Sequence, residues 1–179
     1  MSGFNIFGDT SGSITLQAPA VAGSSTLTLP TTGGNLVANT GWPQIIYTSN
    51  NTYQTFSTTY ANTGISAVIS PRTTSSRVLI TASIVSYTGS TNGGGLRIMK
   101  NGVLLFDPSG ADATGPFLLY DTSGGTYVPV VLQFMDSPGT TTPTTYTIQA
   151  RSYTGSGFIV NPGTITVATS TMVLTEVIQ

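Results

Sequence analysis

Residues 126–139, TYVPVVLQFMDSPG, decide how the rest of the chain can fold. Successive side chains of a β-strand point to opposite faces, so this stretch has two sets of residues. One set is Val128, Val130, Leu132 and Phe134, and the other is Val131, Gln133 and Met135. Because both sets are largely apolar, the pattern predicts a central strand that is covered on both faces. A turn at residues 136–139 should end it, and an alternating strand with Tyr146, Ile148 and Ala150 should run back.

The composition is nearly free of charge, which limits the classes of partner. Only 6% of the 179 residues are charged and the formal net charge is −1, against a usual charged share of about a quarter. Since binding a polyanion needs clustered Lys and Arg, we expect no nucleic-acid partner. An uncharged surface rich in Thr, Ser, Asn and Gly favours association over repulsion. This predicts a protein that sits in an assembly, and the alternative is a secreted β-protein with a hydroxyl-rich coat.

Targeting and redox signals are missing from the sequence. It contains no Cys and no His, so it forms no disulfide. The start, MSGFNIFGDT, has neither the basic segment nor the apolar core of a signal peptide. No apolar run approaches the ~20 residues of a membrane helix. We therefore expect a soluble protein made in a cytoplasm, with no membrane partner.

The rest of the chain has the pattern of an all-β protein. No segment shows apolar residues at helical spacing, and turn signals recur at short intervals. From Trp42 onward about ten strands are expected, including a long one at 77–87 and a hairpin around Asn101-Gly102, a type I′ turn pair. Residues 88–95, which contain GSTNGGG, are expected to form a mobile loop. An antiparallel β-sandwich with jelly-roll topology fits best, and an immunoglobulin-like sandwich is the alternative.

Residues 1–41 differ from residues 42–179 and are predicted to be an extended arm of short strands. Alternating units at 13–19 and 25–30, and a third piece at 34–39, have one thin apolar face each. Such strands need neighbouring chains or a surface to lie on. The alternative, a disordered tail, should carry fewer apolar residues. The residues expected to anchor the arm are Phe4, Ile6, Phe7, Ile14, Leu16, Leu27, Leu29, Leu36 and Val37.

Two parts of the sequence resemble appendage proteins of tailed-bacteriophage virions. In the arm, the matching segment is GSITLQAPAVAGSSTLTLPTTGGNLV, residues 12–37. In the remainder, TGISAVISPRTTSSRVLITASI, LRIMKNGVLLF, FMDSPGTTTPTTYTIQARS and the terminal TSTMVLTEVIQ resemble C-terminal domains of phage fibres and appendages. Those domains are similar to the trimeric jelly rolls of the tumour necrosis factor and complement globular-head type. Unlike full tail fibres, this chain has no shaft between arm and domain.

The resemblance implies a homotrimer on the virion surface, without enzymatic activity or cofactor. Its expected partners are itself and a major capsid protein or another virion protein, with a host surface glycan as a further partner. The missing shaft favours a capsid decoration (cement) protein or a short head fibre, attached by the arm. The alternative is a tail-fibre or tailspike tip that binds a host receptor or glycan through loops 88–95 and 107–115.

Residues that could carry chemistry are few. Without His or Cys, a nucleophile would need Lys100 or a carboxylate as its base, and no catalytic residue is predicted. A paired-carboxylate glycosidase and a Ca²⁺ site at Asp107 and Asp112 are minor alternatives, and no metal ligand is predicted. The eight Tyr residues could stack on sugars, although most lie on predicted strands, where packing is the default.

Glu176 is the acidic residue with the most informative position. In the last strand it shares a face with Met172, Leu174 and Ile178, so its carboxylate points where apolar groups point. A buried carboxylate needs a partner, which predicts an ion pair with Arg151 or Arg77. The alternative is that this face is exposed near the chain end and Glu176 is solvated.

Overall fold

The structure is a computed structural model that forms two compact units, Met1–Ala38 and Asn39–Gln179. The sequence had predicted a division after residue 41. The described residues are 43–89, 92–108, 125–163 and 168–178, together with the backbone of 3–7, 13–17 and 119–121.

The described part of the first unit is an antiparallel hairpin. Its strands are β1 (Gly3–Phe7) and β2 (Ser13–Gln17). The register sets Phe4 opposite Leu16 and Ile6 opposite Ile14, so apolar positions face apolar positions across the pair. The strand predicted at 13–19 is thus present, whereas those predicted at 25–30 and 34–39 lie outside the described residues.

The second unit is entirely β within the described residues, as the sequence predicted. Its strands are β3 (Ile45–Asn50), β4 (Gln54–Phe56), β5 (Ala61–Ile69), β6 (Arg77–Thr88), β7 (Asn92–Lys100), β8 (Val103–Phe106), β9 (Leu119–Asp121), β10 (Thr126–Asp136), β11 (Thr144–Ser152), β12 (Phe158–Val160) and β13 (Ser170–Val177).

Sheet I is built around β6. One edge of β6 pairs along its length with β10, from Thr88 opposite Thr126 to Val78 opposite Asp136. Its other edge is shared, because β12 pairs with one end of it and β13 with the remainder. Outside these lie β4 on β12 and β3 on β13. The sheet is therefore four strands wide, and two of these four positions are each shared by two short strands.

Sheet II has the same width. Its order is β5, β11, β7, and the far edge of β7 is shared by β8 and β9. Three pairs of short strands, β3 and β4, β8 and β9, and β12 and β13, each occupy one position across a sheet. With each pair counted as one strand, the chain passes from one sheet to the other at every connection except the β7–β8 hairpin, which stays within sheet II. Two antiparallel sheets connected in this order are a jelly roll, so the predicted architecture is confirmed.

The core lies between the inward faces of the two sheets. Strands β5, β6, β11 and β13 alternate buried and less buried residues, as expected for a layer with one face on the core, whereas β7 is buried along most of its length. The fully buried large apolar side chains are Ile65, Ile69, Ile80, Ile84, Leu96, Ile98, Tyr146, Ile148, Phe158, Met172 and Leu174. This core packs the two sheets together, and it does not use the side chains on their outward faces.

The position predicted for β10 was wrong in two respects. It is an edge strand, which pairs only with β6 among the described strands, and its outward side chains are exposed. It also does not pair with β11, because β11 lies in sheet II between β5 and β7. Among the described residues, nothing covers the apolar second face of β10.

The loop predicted at 88–95 was also partly wrong, because β7 begins at Asn92. The buried Asn92 amide donates to the Thr154 carbonyl (2.8 Å) and its oxygen accepts from the amides of Gly93 and Thr154. A Cβ on Gly94 would overlap the ring of Phe158. The glycines here let an aromatic ring lie against the strand, and this reason for Gly in a strand differs from turn flexibility.

The predicted turn between β7 and β8 is confirmed. Asn101 (φ 49°) and Gly102 (φ 80°) both have positive φ, as a type I′ turn requires. The Asn101 side chain also accepts the amide of Thr145 at 2.8 Å, which ties the turn to β11.

Candidate interaction surface

The outward face of sheet I is a broad apolar surface. Strand register places Leu79 between Met135 and Thr175, with Ile45 beyond Thr175. One row further along, Tyr47 lies beside Val173. Towards the other end, the rings of Tyr87 and Tyr127 are 4.8 Å apart, and Ile159 lies on the far side of Tyr87. We call this surface, from Ile45 and Tyr47 to Tyr127, Val131 and Met135, the apolar face.

Single exposed apolar residues are common on protein surfaces. Here several large apolar side chains are exposed on the same face of one sheet. The exposed fractions are 66% for Ile45, 63% for Tyr47, 69% for Tyr127, 63% for Val131 and 41% for Met135. With strands about 4.8 Å apart and a rise of about 3.4 Å per residue, the face measures roughly 19 by 34 Å, on the order of 600 Å². This area includes outward Ser, Thr and Gln residues such as Ser83 and Gln133, but the exposed apolar side chains on it are grouped rather than scattered singly, as is often seen at interaction sites.

Charge is confined to the margin of this face. Among the described residues, the outward positions of β3, β6, β10 and β13 are apolar or uncharged polar, except Arg77 at the start of β6. A partner can therefore cover the face without stripping water from an ion, which is the costly step in burying charge. The apolar face is suited to a large, uncharged partner surface.

The edge of β10 opposite β6 pairs with no other described strand, and it extends the same surface. Thr126–Asp136 is an eleven-residue strand whose first ten residues carry no charge. Edge strands of monomeric proteins are usually protected by charges, bulges or covering segments. Here Pro129, which lacks an amide hydrogen, is the interrupting residue. Such an edge is typical of a strand that another molecule covers.

A buried polar cluster joins the two sheets behind this edge. Lys100 Nζ lies 2.8 Å from Asp136 Oδ2, and the Tyr146 hydroxyl donates to the same oxygen at 2.6 Å. Burial raises the pKa of Tyr146, and the hydrogen bond to Asp136 and the charge of that carboxylate raise it further. Tyr146 therefore stays protonated and remains a donor, so the cluster holds β10 of sheet I to β7 and β11 of sheet II.

Glu176 is buried, with 1% of its surface exposed, but its predicted partners were wrong. Its carboxylate accepts the amide of Arg72 at 2.6 Å and lies 3.9 Å from the Arg72 guanidinium. The Gln44 amide is a weaker donor at 3.4 Å. Arg151 instead stacks near Tyr60 in sheet II, and Arg77 begins β6 as an exposed residue.

The pKa of Glu176 is set by opposing effects. Burial alone raises it, but hydrogen bonds from the Arg72 amide, the Ser76 hydroxyl and the Gln44 amide, with the nearby guanidinium, bring the pKa below its ordinary value. The carboxylate is therefore ionised in the folded protein. It ties the segment before β3 and the segment after β5 to the end of β13, which is a structural role.

Other predicted site residues are only partly described. Of the arm residues, Phe4, Ile6, Phe7, Ile14 and Leu16 lie in the β1–β2 hairpin. Leu27, Leu29, Leu36 and Val37 lie outside the described residues. For the Ca²⁺ alternative, Asp107 Oδ2 accepts the Tyr60 hydroxyl at 3.2 Å, while Asp112 is outside the described part. In the part of the chain that is described, no three acidic residues come together as a metal site would need.

A second cluster, on the outward side of sheet II, was missed by sequence reasoning. The guanidinium carbons of Arg97 and Arg151 lie 4.0 and 4.9 Å from the ring centre of Tyr60. Arg97 also donates twice to the Gln149 side-chain oxygen. The sequence pattern shows that residues 97, 149 and 151 lie on the same side of their strands, but only the register of the sheet shows that β7 and β11 are neighbours.

Among the described residues, no helix is long and apolar enough to cross a membrane.

Comparisons with known proteins give no family. No protein-family model matches the chain, and no curated protein matches it. Among solved structures, dimeric latent PorU from Porphyromonas gingivalis is similar over 75% of this chain and 13% of its own, with 13% identity and a TM-score of 0.42. The VP2 subviral particle of infectious bursal disease virus is similar over 83% of this chain and 41% of its own, with 13% identity and a TM-score of 0.39. The chain thus spans less than half the length of either, and similarity at this level assigns no function.

Proposed function

We propose that this protein is a non-enzymatic structural component of a virion. In this proposal it forms a homotrimer through its jelly-roll domain and attaches to a major capsid protein or another virion protein by its N-terminal arm. It then acts at the virion surface as a capsid decoration (cement) protein or short head fibre.

The apolar face is the observation that carries the proposal. A face of roughly 600 Å² per chain is close to the ~800 Å² per partner of a standard specific interface. Because the chain has eleven charged residues in all, little charge repulsion opposes contact between copies. Association with further copies of itself would cover both the face and the β10 edge.

The virion setting rests on the arm and on composition. Residues 12–37 resemble a segment of tailed-phage virion proteins, and the register of β1 and β2 pairs apolar with apolar positions. A hairpin of five-residue strands buries little by itself and needs a further surface. Strand addition to a capsid protein would supply that surface through main-chain hydrogen bonds. Three arms on one trimer would raise avidity.

A charge placed in the apolar face tests self-association. Val131→Lys puts an ammonium at a position that is 63% exposed in the isolated chain and would be buried between copies. Burying an unpaired charge costs several kcal/mol, so the dissociation constant should rise by about 100-fold or more. Light scattering on a sizing column should show a trimer for the unmodified protein and monomers for the variant.

The matched control is Val68→Lys, the same change on sheet II. Val68 is 50% exposed on the outward side of β5, away from the apolar face. It should leave the trimer intact with an unchanged melting temperature. A monomeric unmodified protein, or equal effects of the two changes, would contradict the proposal.

The second candidate function is a tail-fibre or tailspike tip that binds a host receptor or glycan. The Arg97–Tyr60–Arg151 cluster favours it, because it is a polar surface on the sheet opposite the apolar face. Binding of the isolated protein to purified particles supports decoration. Binding to host cells and not to particles supports the tip.

A further inference from the structure

The cluster on sheet II concentrates scarce charge. The chain has five basic residues, and two of them, Arg97 and Arg151, lie against the same tyrosine ring. Arg97 is half-buried and has no carboxylate partner within the described part of the chain. Its Nε and Nη2 donate to the neutral Gln149 oxygen at 2.8 and 2.7 Å. The charge of Arg97 is therefore oriented by Gln149, and no described carboxylate lies against it.

The surroundings hold the cluster in one arrangement. Gln149 also donates to the Asn62 oxygen at 2.8 Å, which orients the amide that receives Arg97. The Tyr60 hydroxyl donates to Asp107 at 3.2 Å. Gly95 gives the ring its place, because a Cβ there would lie 2.8 Å from the Tyr60 hydroxyl. The guanidinium plane of Arg97 and the ring of Tyr60 are therefore positioned before any ligand arrives.

We propose that the Arg97–Tyr60–Arg151 cluster binds the carboxylate of an acidic saccharide. Arg presents five N–H donors in a planar fork that matches a carboxylate, and Arg97 uses two of them on Gln149. The amides of Asn62 and Gln149 can bond sugar hydroxyls. Tyr153, which is 41% exposed just beyond the end of β11, offers an aromatic ring.

The site remains available in the proposed assembly. It lies on the outward side of sheet II, whereas the apolar face is on sheet I. Covering the apolar face therefore does not itself require covering the cluster. A trimer would present three such sites together, so weak single-site binding would gain from avidity.

Saccharide binding can be measured on the full-length protein by NMR titration. The probes are 3′-sialyllactose and trigalacturonate, with lactose and maltotriose as their neutral counterparts and sodium acetate and inorganic phosphate as free anions. We expect the acidic saccharides to shift the side-chain Nε–H signals of Arg97 and Arg151, and to bind at least about tenfold more tightly than the neutral sugars or free anions, since charge-assisted bonds to Arg are the strong ones.

Variants separate this site from general charge attraction. Arg97→Ala and Arg151→Ala should weaken acidic-saccharide binding by about tenfold or more. Arg77→Ala removes the same charge from the exposed start of β6 in sheet I and should leave binding unchanged. Arg97→Lys keeps the charge but loses the planar fork, so it should bind several-fold more weakly with an unchanged melting temperature.

Three results would overturn the proposal. The first is equal affinity for neutral and acidic saccharides, or none for either. The second is unchanged affinity in Arg97→Ala and Arg97→Lys. The third is tighter binding of acetate, phosphate or an oligoglutamate peptide than of the acidic saccharides. Because Val131→Lys should dissociate the trimer and keep the site, failure of the assembly and failure of the site are distinguishable.

Discussion

Glu176 shows how a single buried residue near the end of β13 connects separate segments of the chain. Its side chain is buried on the same face of β13 as Met172 and Leu174, and its carboxylate is ionised because main-chain amides and one arginine lie against it. A carboxylate in this position holds two chain segments against the last strand. Replacing one carboxylate oxygen by an NH2 group removes an acceptor and leaves a buried N–H donor unpaired, which costs more than the net value of the bond.

Replacement of Glu176 by Gln should destabilise the protein by about 2–4 kcal/mol at pH 7. Because its pKa is lower in the folded protein than the ordinary value of about 4.3, the ionised form stabilises the fold above that pH. This stabilisation is lost as the pH falls through the folded pKa. The difference in unfolding free energy between Glu176→Gln and the unmodified protein, measured by urea unfolding, should therefore shrink as the pH falls below the ordinary range of a Glu carboxyl. A difference that stays constant with pH would contradict this assignment.

At the residue scale, the sequence predicted which face of a strand a side chain occupies better than it predicted which residue that side chain contacts. Alternation with Met172 and Leu174 was enough to show which way Glu176 points. It could not show Arg72, because that residue follows Pro71 in a loop and meets β13 only when the sheets are assembled. The Arg97–Tyr60–Arg151 cluster was missed for the same reason, since three separate strands or loops contribute to it.

At the scale of elements, strands were predictable but their places in the sheets were not. The sequence gives β6, β10, β11 and the β7–β8 turn within a few residues. For β10, an apolar second face has the same pattern whether another layer of the chain or another molecule covers it. The prediction of a central strand was therefore wrong in a way that reveals the apolar face. Similarly, the three consecutive glycines at 93–95 suggested a loop, but they belong to β7, where a side chain on Gly94 would overlap the ring of Phe158.

Gly94→Ala tests that explanation for the glycines of β7. Its Cβ would overlap the ring of Phe158, a fully buried residue of β12. The ring or the strand must move, and overpacking of this kind costs about 1–3 kcal/mol or more. Gly89→Ala is the matched control, since its Cβ would have only an ordinary 3.7 Å contact with the Gly157 carbonyl. Thermal unfolding should show a clear loss for the first and little change for the second, and equal effects would contradict the packing argument.

At the scale of the whole molecule, the β-sandwich followed from the all-β pattern, and the jelly roll was the layout favoured at this length. The arm and the domain separate as compact units, which makes them testable apart. What the sequence could not give is the pairing of distant strands, because periodicity is local and register is not.

Deletion of residues 1–38 should divide the proposed function into its two parts. The remaining chain, 39–179, contains the core and the apolar face, so we expect it to stay trimeric with an unchanged melting temperature. It should no longer bind purified virions in a sedimentation assay, whereas the full-length protein should. A truncated protein that still decorates particles would place the attachment site in the jelly roll.

The pairing of β6 with β13 has a consequence for biosynthesis. Ser83 meets Thr171, a partner about 90 residues further along the chain. Such long-range pairing is slow, since a large loop must close first. A nascent chain that has emerged from the ribosome as far as β11 still lacks the strand that completes sheet I. Until β13 emerges, the edge of β6 that it will occupy is unpaired, and an unpaired edge can pair with a neighbouring nascent chain on the same messenger.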